Sequence, residues 1–96
     1  MTLSESQKVI DAVVKGIAVF SNLEATEIGM DDNLEEDLYL SIETNLPAII
    51  SGVSKELNIE VQEESITEYF KQINKDPEEA TVSSLVALFE EEVEFN

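Results

Sequence analysis

Apolar residues recur with helical spacing in four separate segments of this 96-residue chain. Residues at positions i, i+3, i+4 and i+7 lie on one face of an α-helix, so each segment predicts an amphipathic helix. The chain is long enough for one compact domain, and we expect residues 1–96 to form a single all-α four-helix bundle. The four apolar stripes are Ile10, Val13, Val14, Ile17 and Phe20; Ile42, Leu46, Ile49, Ile50, Val53 and Leu57; Ile66, Tyr69, Phe70 and Ile73; and Val82, Leu85, Val86, Phe89 and Val93.

Hydroxyl residues mark the expected helix beginnings. The expected N-caps of the four helices are Ser4, Ser41, Ser65 and Thr81. The third helix is expected to be short, and Pro77 with the two glutamates after it predicts a further helical turn.

Pro47 bears on where the second helix begins, because proline lacks the N–H that bonds to the carbonyl four residues earlier. Either this helix begins near Ser41 and is kinked at Pro47, or it begins near Asn45, where proline is tolerated in the first turn. The position of Ile42 on the apolar stripe favours the early, kinked start.

The first and second helices are separated by residues 21–40. A connection of this length inside a compact domain is uncommon and is often functional. Apolar residues recur in it every few positions, so we expect an ordered loop that is held against the bundle while its acidic residues face outward. The expected apolar anchors are Leu23, Ile28, Met30, Leu34 and Leu38.

The chain is strongly acidic, with 22 aspartates and glutamates, five lysines and a formal net charge of −17. Such a surface repels nucleic acid and anionic lipids and attracts proteins with basic patches. No apolar run approaches the roughly 18 residues of a membrane span. We therefore expect a cytoplasmic monomer that binds proteins and has no nucleic-acid or membrane partner.

The residue types limit the chemistry available. Cysteine and histidine are absent, which excludes a thiol nucleophile, a histidine base and a zinc site built from these ligands. Oxygen-bearing side chains alternate at Asp31, Asn33, Glu35 and Asp37 as at the start of a calcium loop. Glu36 stands where that loop needs glycine, and Ile42 where it needs glutamate. We expect no metal centre and no catalytic activity.

Ser41 stands between the acidic loop and the second amphipathic segment. The simplest interpretation is an ordinary N-cap. A functional interpretation starts from the same geometry, because the N–H groups and dipole at a helix N-terminus stabilise an anion. A phosphate ester on Ser41 would suit that position.

Residues 5–93 resemble the acyl carrier protein family in helix order, long first loop, short third helix and acidic charge. The most similar stretch is residues 33–43, which read NLEEDLYLSIE. Family members have there an acidic residue and leucine, a glycine and an apolar residue, then Asp-Ser-Leu and an acid. Residues 57–61 resemble the family's link between helices two and three, and residues 81–86 resemble the start of its last helix.

The resemblance implies that Ser41 carries 4′-phosphopantetheine, whose thiol would hold an acyl group as a thioester. The protein would shelter the acyl chain and present it to partners with basic docking patches: a phosphopantetheinyl transferase and acyl-transferring or synthase enzymes of fatty acid, polyketide or related specialised biosynthesis. The residues that would line the acyl pocket are Leu38, Leu46, Ile50, Val53, Phe70, Val86 and Phe89, and the docking acids would be Asp31, Asp32, Glu35, Glu36, Asp37 and Glu43.

The attachment-site sequence is a variant of the family pattern. Leu40 replaces the expected aspartate, Tyr39 replaces the usual glycine, and Pro47 interrupts the helix that the family uses for partner recognition. These departures indicate a specialised partner. Two alternatives stay open: a carrier-like binding module or regulator without the arm, and an acidic protein that mimics nucleic acid or binds calcium.

Overall fold

The computed structural model describes residues 5–95 of the chain and the side chains of residues 7–94. Over that range the chain is an all-α four-helix bundle without strands, as predicted. The helices are α1 (Glu5–Ser21), α2 (Asn45–Leu57), α3 (Glu63–Lys75) and α4 (Val82–Phe95), and short 3-10 turns form at Ala25–Glu27 and Pro77–Glu79. Ser4, the expected cap of the first helix, lies outside the described residues. No helix in the described range is long and apolar enough to cross a membrane.

Buried apolar side chains from all four helices and from the long loop form one core. Helix α1 lies against both α2 and α4, and Ile17 of α1 and Phe89 of α4 are fully buried. Gly16 allows α1 to approach α2 closely, since a Cβ at this position would lie 3.0 Å from Cγ2 of Val53. Phe20, expected on the buried stripe, is 43% exposed at the end of α1.

Helix α2 begins at Asn45, so the kinked helix starting at Ser41 is wrong and the later start is correct. The preceding residues form a turn, in which the N–H of Thr44 donates to Ser41 Oγ at 3.2 Å. Pro47 is the third residue of the helix. Its missing N–H therefore falls among the first N–H groups, which have no partner within the helix in any case.

Helix α3 contains 13 residues, as many as α2, and is therefore longer than predicted. It begins at Glu63, so Ser65 lies in its first turn and is not the N-cap. The sequence prediction began at the first apolar residue, but an exposed first turn needs none. Glu63 and Glu64 suit this position because carboxylates stabilise the positive end of the helix dipole.

The loop between α1 and α2 is ordered and anchored by apolar side chains, as predicted. The predicted anchors that are covered are Ile28, Leu34 and Leu38, which are buried, and Leu23, which is half-buried. Leu40, which was not among the expected anchors, is also buried. Met30 is 37% exposed, so its expected anchoring role is wrong.

Candidate functional site

Residues 31–37, the acidic loop, are organised around the side chain of Asn33. Its Oδ1 atom accepts hydrogen bonds from the N–H groups of Glu35 at 3.0 Å and Glu36 at 2.9 Å. Its own N–H donates to Oδ2 of Asp37 at 2.7 Å. Because one side chain and one carboxylate satisfy three backbone donors, the loop has a defined conformation although most of its side chains face solvent.

The acidic loop is also tied to the segment that precedes α4. Asn33 Nδ2 donates to the carbonyl of Pro77 at 3.0 Å, and the N–H of Leu34 donates to the carbonyl of Ala80 at 2.8 Å. These contacts join residues more than 40 positions apart in sequence. The side of the molecule that carries Ser41 is therefore built from two distant parts of the chain.

The six acids expected to form the docking face divide into two groups. Asp31, Glu35, Glu36 and Glu43 are exposed. The other two, Asp32 and Asp37, use a carboxylate oxygen within the loop: Asp32 Oδ2 accepts from the N–H of Gly29 at 2.8 Å, and Asp37 accepts as described above. Asp32 is half-buried, whereas Asp37 remains exposed. Negative charge is thus displayed on both sides of Ser41 in sequence.

Ser41 is exposed, and its backbone is held in place. Its N–H donates to Asn45 Oδ1 at 2.8 Å, while its carbonyl accepts from the N–H of Asn45 at 2.8 Å. In its hydrogen bond with the N–H of Thr44, the hydroxyl oxygen is the acceptor, so this bond does not use the hydroxyl proton. The structure therefore presents an accessible alcohol on a fixed turn directly before α2.

A cavity of 230 Å³ lies beside Ser41. It is smaller than the roughly 300–1,000 Å³ typical of small-molecule pockets, so it can hold only a short segment of a ligand. The lining residues include Glu35, Ser41, Glu43, Ile42, Ile73 and Ala80. The cavity combines apolar walls with two carboxylates, and its lining comes from the loop, the turn before α2, the end of α3 and the segment before α4.

The seven residues expected to line an acyl pocket lie together in the core. Phe70 is half-buried and the other six are buried. Ile50 also lines a groove of 680 Å³ between α2, α3 and their connection. The apolar residues Ile59, Val61 and Ile66 line this groove too, and none of them was among the expected lining residues. Ile66 was predicted on the apolar stripe of the third helix, whereas the signal for Ile59 and Val61 was the apolar pattern in the link between the two helices.

Leu40 and Tyr39, the two residues directly before Ser41 that differ from the acyl carrier pattern, have opposite environments. Leu40 is 3% exposed and its N–H donates to the carbonyl of Leu34 at 2.9 Å, so this residue is a core anchor. Tyr39 is 86% exposed and has a φ of 55°. The left-handed conformation costs a non-glycine residue about 1 kcal/mol, so the backbone of this exposed tyrosine destabilises the folded state.

The structure gives no support to a calcium site in the acidic loop. Within the described residues, no group of three or more acidic, histidine or cysteine side chains is placed to hold a metal ion. Asn33 Oδ1 and Asp37 Oδ2, two oxygens of the alternating pattern, accept backbone hydrogen bonds instead.

Comparison of the chain with protein-family models, curated proteins and solved structures gave no significant match. Its function is therefore inferred from its own residues and their geometry.

Proposed function

We propose that this chain is a carrier protein that holds an acyl group on a 4′-phosphopantetheine arm attached to Ser41 and presents it to partner enzymes. The observation that carries the proposal is the position of Ser41. Its hydroxyl is exposed on a hydrogen-bonded turn, next to an acidic loop and a partly apolar cavity. A fixed, accessible alcohol suits enzymatic modification, because the acceptor is oriented before the encounter.

The exposure of Ser41 fits an attached arm. Because Ser41 is exposed, a phosphodiester formed there would stay hydrated despite the nearby carboxylates of Glu35 and Glu43. When attached, the arm supplies a thiol that holds the acyl group as a thioester. The chain itself has no catalytic role in this proposal: Ser41 accepts the arm, which a phosphopantetheinyl transferase takes from coenzyme A.

Apolar residues of α2, α3 and α4 would shelter the acyl group. Ile50 belongs to the core and also lines the groove between α2 and α3. A chain entering that groove would contact Ile50, Ile59, Val61 and Ile66. Burial of apolar surface supplies the driving force, at about 25 cal/mol for each Å² removed from water.

The acidic loop would guide the encounter with partners. Its exposed carboxylates precede Ser41, and Glu43 follows it. A protein with this net charge attracts basic surfaces over several ångströms and raises the rate of association. The partners would be a phosphopantetheinyl transferase and acyl-transferring or synthase enzymes of fatty acid, polyketide or related biosynthesis.

Intact-mass spectrometry tests the proposal directly. The purified protein is incubated with coenzyme A and a broad-range phosphopantetheinyl transferase, and we expect a gain of one arm. Ser41→Ala should abolish the gain, whereas Ser51→Ala, which changes an exposed serine on α2, should keep it. If no transferase from the source organism modifies the folded wild-type protein, the proposal is wrong.

The burial of Leu40 favours a second candidate function, a carrier-like binding module or regulator without the arm. Family members have an aspartate at this position, and here the side chain belongs to the core. Such a module would act through its acidic surface. It predicts that Ser41→Ala leaves partner binding and physiological function intact, and loss of function in that variant would exclude it.

A further inference from the structure

Tyr39 is an exposed aromatic residue two positions before Ser41. Its side chain is 86% exposed, so the ring contributes little to the core. Its φ of 55° lies in a region that glycine and asparagine adopt more readily than aromatic residues. Folding alone would therefore favour a different residue here, and unfavourable backbone conformations of this kind often occur at functional sites.

The neighbours of Tyr39 hold its ring outward. Leu38 and Leu40 are both buried, and their N–H groups donate to the carbonyls of Asn33 at 3.1 Å and Leu34 at 2.9 Å. With the backbone fixed on both sides, the ring has little freedom to turn towards the core. A partner that binds the ring therefore has to order only its two side-chain torsions, because the backbone is already fixed.

The surroundings of the ring define the chemistry of its partner. The chain has no lysine or arginine between Lys15 and Lys55, whereas the acidic loop carries five carboxylates immediately before Tyr39. Cations that neutralise this surface upon docking must come largely from another molecule. Arginine suits both features, since its guanidinium pairs with carboxylates and stacks on aromatic faces.

We infer that Tyr39 is an aromatic anchor for the docking of partner enzymes, with its ring against an arginine or lysine of the partner's basic patch. Glu35, Glu36 and Asp37 pair with further cations of the same patch. Tyrosine and arginine are enriched among the residues that dominate binding energy at interfaces. This inference rests on the proposed carrier function and adds the residue through which partners recognise the site. A second copy of this chain is not the expected partner at this surface, because two such acidic surfaces repel each other.

Steady-state kinetics of a broad-range phosphopantetheinyl transferase provide the test, with the carrier as the varied substrate. Tyr39→Gly should raise the KM about tenfold with kcat unchanged, since it removes docking contacts and leaves Ser41 in place. Tyr39→Phe keeps the ring and should stay within about twofold of wild type. Val19→Ala is the matched control, because Val19 is 72% exposed on α1 and its loss should leave the KM unchanged.

The outcomes separate the docking inference from the proposed function. If wild type is modified and Tyr39→Gly shows a wild-type KM, the anchor is wrong and the carrier function stands. The inference is also overturned if Tyr39→Phe raises the KM as much as Tyr39→Gly does, or if Val19→Ala raises it equally. If neither this enzyme nor any transferase from the source organism modifies wild type, both the carrier function and the anchor fail. Thermal unfolding by circular dichroism should show Tyr39→Gly at least as stable as wild type, so that a raised KM reflects docking.

Discussion

Two segments of the molecule place a hydroxyl residue directly after a buried residue, and only one of them leads straight into a helix. Leu40 precedes Ser41 and Ala80 precedes Thr81, and both preceding residues are 3% exposed. Helix α4 begins immediately after Thr81, at Val82, whereas α2 begins four residues after Ser41. The same sequence pattern thus gives a direct N-cap in one place and an exposed turn in the other.

The hydroxyl of Thr81 belongs to an internal network. Its Oγ1 accepts from the N–H of Ser84 at 3.2 Å, and Ser84 Oγ donates to the carbonyl of Thr81 at 2.8 Å. Ser84 Oγ also lies 2.9 Å from the hydroxyl of Tyr69. Ser41 has one comparable bond, from Thr44, and it is exposed. The pattern alone does not reveal whether the hydroxyl residue is half-buried within a hydrogen-bond network, as Thr81 is, or exposed, as Ser41 is.

Replacing the buried residue before Ser41 should have the largest effect on stability. Leu40→Asp would introduce the aspartate that acyl carrier proteins have before their serine, but it removes a core side chain and buries a carboxylate. We expect the free energy of unfolding to fall by at least about 3 kcal/mol. Tyr39→Asp, one position away and exposed, should change it by less than about 0.5 kcal/mol. Urea denaturation measures both, and equal stability of the two variants would show that Leu40 is not a core anchor.

Asn33 connects the acidic loop with the segment before α4, and its replacement should have the next largest effect on stability. Asn33→Ala loses the two bonds to the acidic loop and the one to Pro77, which should cost about 2 kcal/mol. Asn33→Asp keeps an acceptor for the loop and should cost less. Amide hydrogen exchange at Glu35 and Glu36 should quicken in the alanine variant. Unchanged exchange there would mean that the loop is held by other contacts.

The two hydroxyl residues themselves should differ in their effect on stability. Thr81→Ala should lower the free energy of unfolding by about 1 kcal/mol, the usual effect of losing an N-cap. Ser41→Ala should lower it by less than about 0.5 kcal/mol, because the exposed N–H of Thr44 can bond to water instead. Urea denaturation of the pair provides the measurement. A larger loss for Ser41→Ala would identify Ser41 as a structural cap.

The sequence predicted the four helices well, because their periodic apolar residues report the burial that dominates folding. The stripe on α4 and its cap at Thr81 appear in the structure as expected. The same period explains Glu92, a buried carboxylate within the glutamate run of residues 90–92. It is 2% exposed because it lies three residues after Phe89, on the buried side of α4.

The loop and the site were less predictable, because their geometry depends on contacts between distant residues. A non-periodic segment does not reveal which apolar residue faces the core, so Met30 was expected inside and Leu40 was not. Local pattern predicted Ser41 near the start of the second helix, but it favoured a start four residues earlier than the observed one. The cavity beside Ser41 could not be predicted, since Ile73 and Ala80, which help to line it, belong to parts of the chain whose approach depends on the loop's hydrogen bonds.

The smallest predicted effect is the change in stability at alkaline pH that comes from ionisation of Tyr69, which contacts Ser84 in the network of Thr81. Burial raises the pKa of Tyr69 above its ordinary value, while its hydrogen bond with Ser84 acts in the opposite direction. The folded state therefore holds the phenol proton more tightly than the unfolded state. The stability that this contributes is fully present below the unfolded pKa of about 10, and it is lost as the pH rises through the folded pKa.

Tyr69→Phe removes the titrating group. The free energy of unfolding of this variant should therefore fall less than that of wild type as the pH rises from about 8 to about 11. Urea denaturation at these two pH values measures the difference. A Tyr39→Phe background leaves Tyr69 as the sole tyrosine, and its absorbance on ionisation then reports the pKa directly. If Tyr69→Phe loses as much stability as wild type, Tyr69 does not couple ionisation to folding. The hydroxyl of Tyr69 would then not be desolvated at the network of Thr81, and that network would differ less from the exposed turn at Ser41.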